Sequence, residues 1–593
     1  RTVEHRLQIL HNLQTHTLPE GERQLFHLAR RSGYRPQVSP ELVEEFLKDY
    51  RAHTDAVRRV YDAFFAPAEA PATTVEQDEI TLFFEGAIPA SEIRERLREV
   101  GFEDLERAYR NFQLLRDGPP FAHYSNAGRW ALAHASPHLM KALRETPDPD
   151  MALNHFERQV ATVGAQGVFL SILAEQPETL GFLFRLFGMS DFLARTLIQH
   201  PELVDLLLDP VSLSRRTSRA EMIQELREGL REAPMGSGKL DVLRRFKKVE
   251  ELRIGIWDVL GETGLTDTQA ALTQLAEVCL TGALELAWEE LGPRYGVMEP
   301  RGFAVLGLGK LGGAELNYSS DLDIAFVTED EMGMMAVQPA SPVEFFSKLA
   351  DRVIKNLTVI TREGSAYRVD SRLRPGGTKG PLAQSVAAFR DHFERWAEVW
   401  ERQAYVKARV VAGDEALGRR VSGLVQEFVY EQPVPEDLAQ RVDAMRHRME
   451  EERVKRGADL HLKLGSGGIV EVEFTVQYLQ LRHGKERAAL HEPNTLSALD
   501  ALHREGILSD EAHHALRDSY RFLRMVENRL RILADLSVNT VPKAPAKLEK
   551  LARRLGYARE GDSPARDRFL HDFAAHTSRV HAVYEKTFRR AEG

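Results

Sequence analysis

A single cysteine in 593 residues leaves no partner for an internal disulfide, so no covalent framework holds this fold together. That thiol, Cys279, lies in the apolar helical run of residues 275–284 and reads as a buried structural group in a protein suited to a reducing cytoplasm. No apolar run reaches membrane-spanning length without a charge breaking it, and no signal-peptide pattern is visible. Nor does one sign of charge dominate. The 79 basic and 89 acidic residues are interleaved, for a net charge of −10, which excludes the broad basic face of a nucleic-acid-binding protein. The histidines, His513-His514 included, lack metal-ligand spacing, which argues against zinc. What remains is an ordinary globular composition on a chain long enough for several domains.

The chain's end repeats its beginning. Arg1-Thr-Val-Glu-His-Arg-Leu-Gln-Ile-Leu10 returns as Arg524-Met-Val-Glu-Asn-Arg-Leu-Arg-Ile-Leu533. With the same offset and no gap, Leu28-Ala-Arg-Arg-Ser-Gly-Tyr34 returns as Leu551-Ala-Arg-Arg-Leu-Gly-Tyr557, Ala52-His-Thr54 as Ala575-His-Thr577, and Val60-Tyr61 as Val583-Tyr584. Two unrelated amphipathic helices would share apolar spacing, not these identities. The expectation is a duplicated large module of which the first copy keeps only its tail. The chain also begins with Arg, which reads as the second half of a longer tandem protein.

Between the repeats most segments have helical periodicity. Gln176-Pro177-Glu178 and His200-Pro201-Glu202 place proline in a first turn, and Ser190-Asp191 supplies an N-cap. Residues 66–74, rich in Ala and Pro, form the best linker, and Gly236-Ser-Gly238 precedes a long helix. The texture then changes. Residues 303–308, 323–327 and 366–370 are short apolar or alternating segments bounded by turn residues, hence strands, with a helix expected over 343–358. The fold class is therefore mainly α with one α/β domain.

Chemistry concentrates in that island. A strand runs into Gly307-Leu-Gly-Lys-Leu-Gly-Gly313, and Asp321-Leu-Asp323 follows. A glycine-rich turn lets backbone amides approach phosphate, although this one fits neither a Walker A loop nor a dinucleotide fingerprint. Strand alternation puts Asp321 and Asp323 on one face, where two carboxylates repel unless a hard divalent cation such as Mg²⁺ joins them. A lone Asp-x-Asp is equally a solvated strand end with two capping acids. A third acid sharpens the reading: in Val369-Asp-Ser-Arg-Leu-Arg374, alternation sets Asp370, Arg372 and Arg374 on one face and Val369 and Leu373 on the other. Glycine turn, Asp-x-Asp, then a lone Asp on a later strand is the ordered pattern of a polymerase-β-like nucleotidyltransferase domain.

Four stretches closely resemble the signature of the glutamine synthetase adenylyltransferase family, whose members add AMP to glutamine synthetase and remove it again. They are residues 309–323, 369–375, Trp400-Glu-Arg-Gln-Ala-Tyr-Val-Lys-Ala-Arg409 and Gly467-Gly-Ile-Val-Glu-Val-Glu-Phe474. The resemblance implies two tandem nucleotidyltransferase modules, each with a helical bundle. On this chain residues 1–75 would be the tail of a preceding module's bundle, 76–235 a helical regulatory region, 236–435 the catalytic domain and 436–593 a C-terminal helical bundle.

It also implies roles. Asp321 and Asp323 hold two Mg²⁺ ions, while Asp370 completes the site and accepts the proton of an attacking tyrosine. Gly312 and Gly313 admit the triphosphate of ATP. Ser320 either donates to a phosphate oxygen or caps the strand, and Lys310 either reaches a phosphate or stays solvated. Arg372 and Arg374 are phosphate clamps or ion-pair partners; Lys407 and Arg409 are site contacts or surface charge. Glu471 and Glu473, two apart on a helix, face different ways and cannot share one metal.

By position the chain corresponds to the adenylylating module, with glutamine synthetase as protein substrate, a PII-type signalling protein and glutamine as effectors, and neither nucleic acid nor membrane as partner. The wording of Asn317-Tyr-Ser-Ser320, however, is close to that of the removing module. Phosphorolytic removal of AMP, or a regulatory fragment inactive alone, are the alternatives.

Overall fold

The computed structural model describes residues 18, 21–34, 42–54, 84, 90–118, 126–163, 166–204, 217–234, 236–296, 300–329, 342–454 and 460–589. The chain divides into two compact units, Arg1–Gln77 and Asp78–Gly593. The repeat's segments at residues 1–10 and 60–61 and the linker at 66–74 lie outside the described residues.

Where both copies are described, they fold alike. The helix Glu22–Arg31 ends at Gly33, whose φ of +104° only glycine adopts readily, and the Tyr34 amide donates back to Ala29 O at 3.2 Å. The helix Pro545–Arg554 ends in the same way at Gly556, φ +88°, with the Tyr557 amide on Ala552 O at 3.0 Å. Tyr34 Oη donates to Asp49 at 2.8 Å and its ring meets Phe46 edge-on; Tyr557 Oη donates to Asp572 at 2.8 Å and its ring meets Phe569 edge-on. Each aromatic pair has its partner at the same offset in the other copy.

The larger unit opens with helices from Ala90–Val100 to Arg219–Glu232. Pro177 occupies the first turn of Pro177–Met189, Ser190 Oγ caps Asp191–Gln199 by accepting from the Leu193 amide, and Pro201 begins a 3-10 turn. Two long helices follow, Ser237–Leu260 and Leu265–Tyr295. The second, though Glu277 and Glu285 interrupt its apolar run, is by length and composition apolar enough to cross a membrane, and 72% of its most apolar window is buried among the protein's other elements. It is a core helix because its apolar residues pack inside the protein, and two acids along it are paired, Glu277 with Arg409 and Glu285 with Arg227. Cys279 is fully buried on it.

The sheet has five strands: β1 (Phe303–Gly307), β2 (Leu322–Thr328), β3 (Val369–Asp370), β4 (Ala383–Ser385) and β5 (Arg409–Gly413). β1 lies between β2 and β5, antiparallel to both, while β3 and β4 run parallel to β2. Period-2 alternation divides β1 and β2 between two cores. Phe303, Val305, Leu322, Ile324 and Phe326 pack with the N-terminal helices and the helix Pro342–Thr358. Ala304, Leu306, Ala325 and Val327 pack with the C-terminal helices, among them Ile469–His483, Thr495–Arg504, Asp510–Ala534 and Ala565–Arg589. The sheet is thus a partition between two helical layers, and its odd-numbered β2 residues from Asp323 onward face the C-terminal layer.

Candidate active site

Three carboxylates gather at the start of β2 and the end of β3. Asp323 and Asp370 are register partners across the parallel pair β2–β3, so they stand side by side on the face toward the C-terminal helices. Val369 points to the opposite core, as alternation requires. Asp321 precedes β2 by one residue and Asp323 by two, at the exposed lip of the same edge.

The turn between β1 and the acids explains the glycines. Gly307 pairs with Ile324, the Leu308 amide donates to Asp323 O at 2.8 Å, and a single helical turn, Gly309–Gly312, follows. Gly309 has φ +52°, and a Cβ there would lie 2.5 Å from Asp323 Oδ2. Only glycine lets this backbone pass so close to the carboxylate. Gly312 is required by the protein's own backbone: a Cβ would sit 1.8 Å from Lys407 O. Gly313 is less crowded, with Pro493 O and Glu315 Oε1 at 3.0 Å. Of the glycines here, Gly309 therefore stands nearest the acids.

The electrostatics are those of an acid cluster. Burial, then the like charges of Asp370 and Asp321, push the Asp323 carboxyl up to about 6, with Lys463 opposing. Asp370 goes the other way, because Arg372 bonds it through side chain and backbone and holds it below the usual carboxylate range. Asp321 accepts from Arg368 Nε at 2.5 Å. Arg368 and Arg372 are both exposed, so each can swing off its acid toward an incoming anion. The three carboxylates offer the hard oxygens that Mg²⁺ takes, and the raised Asp323 marks a face short of positive charge. The donor chemistry is of the kind a divalent cation takes, but among the described residues no three acids, histidines or cysteines stand grouped closely enough to hold a metal ion.

The remaining expected site residues are placed as follows. β3 ends at Asp370, so the alternation expected through residue 374 stops there, and Leu373 turns into the C-terminal core, away from Val369. The chain turns because Arg374 gathers the carbonyls of Ser371, Gly380 and Pro381 at 2.6–3.1 Å, ahead of Pro375-Gly376-Gly377. Ser320 Oγ accepts from the Asn317 amide and from Arg531, so it caps the turn before β2. Arg409 ties Gly312 O and Leu311 O to Glu277. Lys310 and Lys407 lie in a buried cluster with Glu315, Glu473 and Tyr520. Glu471 faces elsewhere, to Arg446 and the Gly467 amide.

Sequence reasoning passed over Arg368 and Lys463. Arg368 lies inside the expected strand 366–370, two residues before Asp370, and that spacing was its only signal. Lys463 sits beside the Gly465–Gly468 turn, far along the chain, and only the fold brings it within electrostatic reach of Asp323. A polar cavity of about 220 Å³, lined by Lys247, Asn317, Ser319, Ser320 and Asp535, adjoins the acids through Arg368.

Residues 180–423 match the family described as glutamate-ammonia ligase adenylyltransferase. Residues 1–65 and 437–588, which contain the two repeat copies, match the family described as GlnD PII-uridylyltransferase. Among curated proteins the chain is similar to bifunctional glutamine synthetase adenylyltransferase/adenylyl-removing enzymes. That of Nitrosococcus oceani is 34% identical over 90% of this chain and 56% of its own length. That of Thioalkalivibrio sulfidiphilus is 33% identical over 89% and 56%, and that of Nocardia farcinica 30% over 99% and 58%. The chain thus spans a little over half the length of these relatives.

Proposed function

We propose, from the match of residues 180–423 to the glutamate-ammonia ligase adenylyltransferase family, that the chain transfers AMP from ATP to a tyrosine hydroxyl of glutamine synthetase. One observation carries the reading: Asp323 and Asp370 pair across β2–β3 beside a glycine turn that can approach no closer to a carboxylate. The sheet is read as a polymerase-β-like nucleotidyltransferase domain within residues 236–435, followed by the bundle 436–593 and preceded by a regulatory region at 76–235.

In the proposed step the tyrosine oxygen bonds to the α-phosphorus of ATP, the α–β anhydride bond breaks, and pyrophosphate leaves with its electron pair. Mg²⁺ held by Asp321, Asp323 and Asp370 would neutralise phosphate charge and the leaving group. Asp370, whose carboxyl Arg372 holds below the usual range until the nucleotide enters, takes the tyrosine proton. Arg372 and Arg368, both exposed, turn from carboxylate to phosphate as the nucleotide enters. Gly309 keeps the turn low enough for phosphate to reach the acids.

Glutamine and a PII-type protein as effectors, and a cytoplasmic setting, accompany this reading; of these, only the PII-type protein is named in the description of a matched family. The removing reaction, in which phosphate attacks AMP-tyrosine and releases ADP, uses the same acids. The Asn317–Ser320 wording favours it. Purified chain with Mg²⁺, α-labelled ATP and glutamine synthetase should yield labelled synthetase, and Asp321→Asn should abolish the label. Release of label from AMP-glutamine synthetase to phosphate, with none ever gained, would reverse the assigned direction.

A further inference from the structure

Three of the four sequence motifs send a charged residue to one buried point that the proposed chemistry leaves unused. Lys310 comes from the glycine turn and Glu315 from the loop behind it. Lys407 comes from the segment before β5, and Glu473 from the helix Ile469–His483. Lys407 Nζ donates to Glu315 Oε1 at 2.5 Å, Glu473 Oε1 at 2.8 Å and Thr495 Oγ1 at 2.9 Å, which satisfies all three of its protons. Lys310 Nζ donates to Glu473 and, at 2.9 Å, to Tyr520 Oη, which itself donates to Glu315 Oε2 at 2.8 Å. Arg524 adds a bond to Glu315 O at 2.5 Å. Glu315 is 1% exposed and Lys407 5%.

A cluster of buried ions is a poor means of stabilising a fold. Each ion loses several kcal/mol of hydration, and well-packed apolar side chains of similar volume do as well or better. What the cluster provides is location. Lys310 is the second residue of the turn whose first, Gly309, passes against Asp323 Oδ2. The other end of that turn is held by Arg409 on Leu311 O and Gly312 O. At the end beside the acid the Leu308 amide on Asp323 O holds the backbone entering the turn, and Lys310 adds a side-chain tie there that only the C-terminal bundle can supply.

We infer that Glu473 is a positioning residue for the active site: through Lys310 it fixes the glycine turn against Asp323 and so makes the C-terminal bundle part of the catalytic geometry. Lys407 is the counter-charge that keeps Glu473 in place. The charge states agree with this arrangement. Despite burial, Lys310 and Lys407 hold Glu473 well below the ordinary carboxylate range, and Glu315 and Glu473 hold Lys407 charged. Burial and then Arg524 bring Lys310 down to about 8, against the pull of Glu315 and Glu473, so its charge depends on those acids.

The inference rests on the AMP-transfer reading for its kinetic consequence but not for its structural one. Hydrogen exchange followed by mass spectrometry on the full chain should show amides of residues 308–313 exchanging at least tenfold faster in Glu473→Gln, with the rest of the sheet within twofold. The turnover number for AMP transfer should fall by tenfold or more while KM for ATP stays within about threefold. Should Glu473→Gln not fold, Tyr520→Phe removes one hydroxyl from the same cluster and should show the same localised change at about a third of the size. Unchanged exchange at 308–313, or acceleration spread evenly through the bundle, overturns the inference. Failure of the wild-type chain to transfer AMP would overturn the functional reading and leave the exchange result standing.

Discussion

Asp323 and Asp370 face each other across two parallel strands with no basic residue between them in the register. The fold keeps this contact at a cost. With burial and Asp370 raising it, the Asp323 carboxyl titrates near 6, against 3.8 in an unconstrained chain. A raised carboxyl favours folding while protonated. Its contribution is complete below about pH 4 and is lost as pH rises through about 6. Above that, ionised Asp323 destabilises the metal-free protein by at most about 3 kcal/mol, and by less where water reaches this half-buried side chain. Asp323→Asn should therefore raise the melting temperature at pH 7.5 in EDTA, with the gain fading toward pH 4. Mg²⁺ should narrow the difference by stabilising only the wild type. A variant less stable than wild type at pH 7.5 would contradict this account.

The glycines of the turn divide by what crowds them. Alanine at 312 would place a methyl carbon 1.8 Å from Lys407 O and 2.5 Å from Gly307 O, both backbone atoms that cannot rotate away. Alanine at 556 meets nothing within 4 Å and bears only the strain of φ +88°. Gly556→Ala should cost about 1 kcal/mol and Gly312→Ala about 3 kcal/mol or more, as measured by urea unfolding. Equal losses would mean that the turn relaxes freely.

Legibility in the sequence followed the range of the forces involved. β1, β2 and the helix Pro342–Thr358 are written in local apolar periodicity and were expected within two residues of where they lie. The extension of β3 to residue 374 failed because alternation cannot foresee a guanidinium collecting three carbonyls around a turn. The placing of Asp321, Asp323 and Asp370 along one edge of the sheet was readable because two share a strand start and the third lies in a motif. The fates of Lys310 and Lys407 were not, since their partners Glu473 and Tyr520 lie far along the chain. A lysine in a glycine loop beside acids reads as a phosphate ligand or a solvated group, and only packing shows that a third use prevails.

Cys279 tests the helical core. Burial pushes its thiol up to about 12, and no part of it is exposed. The thiolate is the reactive form, so at pH 8 the native protein should resist iodoacetamide while urea-unfolded chain labels fully. The native labelling rate then reports opening of the helix Leu265–Tyr295, and substitutions that loosen its packing should raise it in proportion. Rapid labelling of the native chain would place the thiol at the surface.

The repeat makes a prediction of its own, because the same hydrogen bond occurs twice in different surroundings. Tyr557 Oη donates to Asp572 at 2.8 Å in a partly buried setting, and Tyr34 Oη donates to Asp49 at 2.8 Å in an exposed one. Both bonds pin the helix-ending Gly-Tyr pair to the following helix. A bond to a charged acceptor is worth more where water competes less, so Tyr557→Phe should cost about 1.5 kcal/mol and Tyr34→Phe about 0.5 kcal/mol. Each loss should be local: exchange at the Tyr557 amide, bonded to Ala552 O, should quicken in the first variant, and at the Tyr34 amide, bonded to Ala29 O, in the second. Equal costs at the two sites would show that burial does not set the strength of this bond, and that the identities shared by the copies record common descent more than common physics.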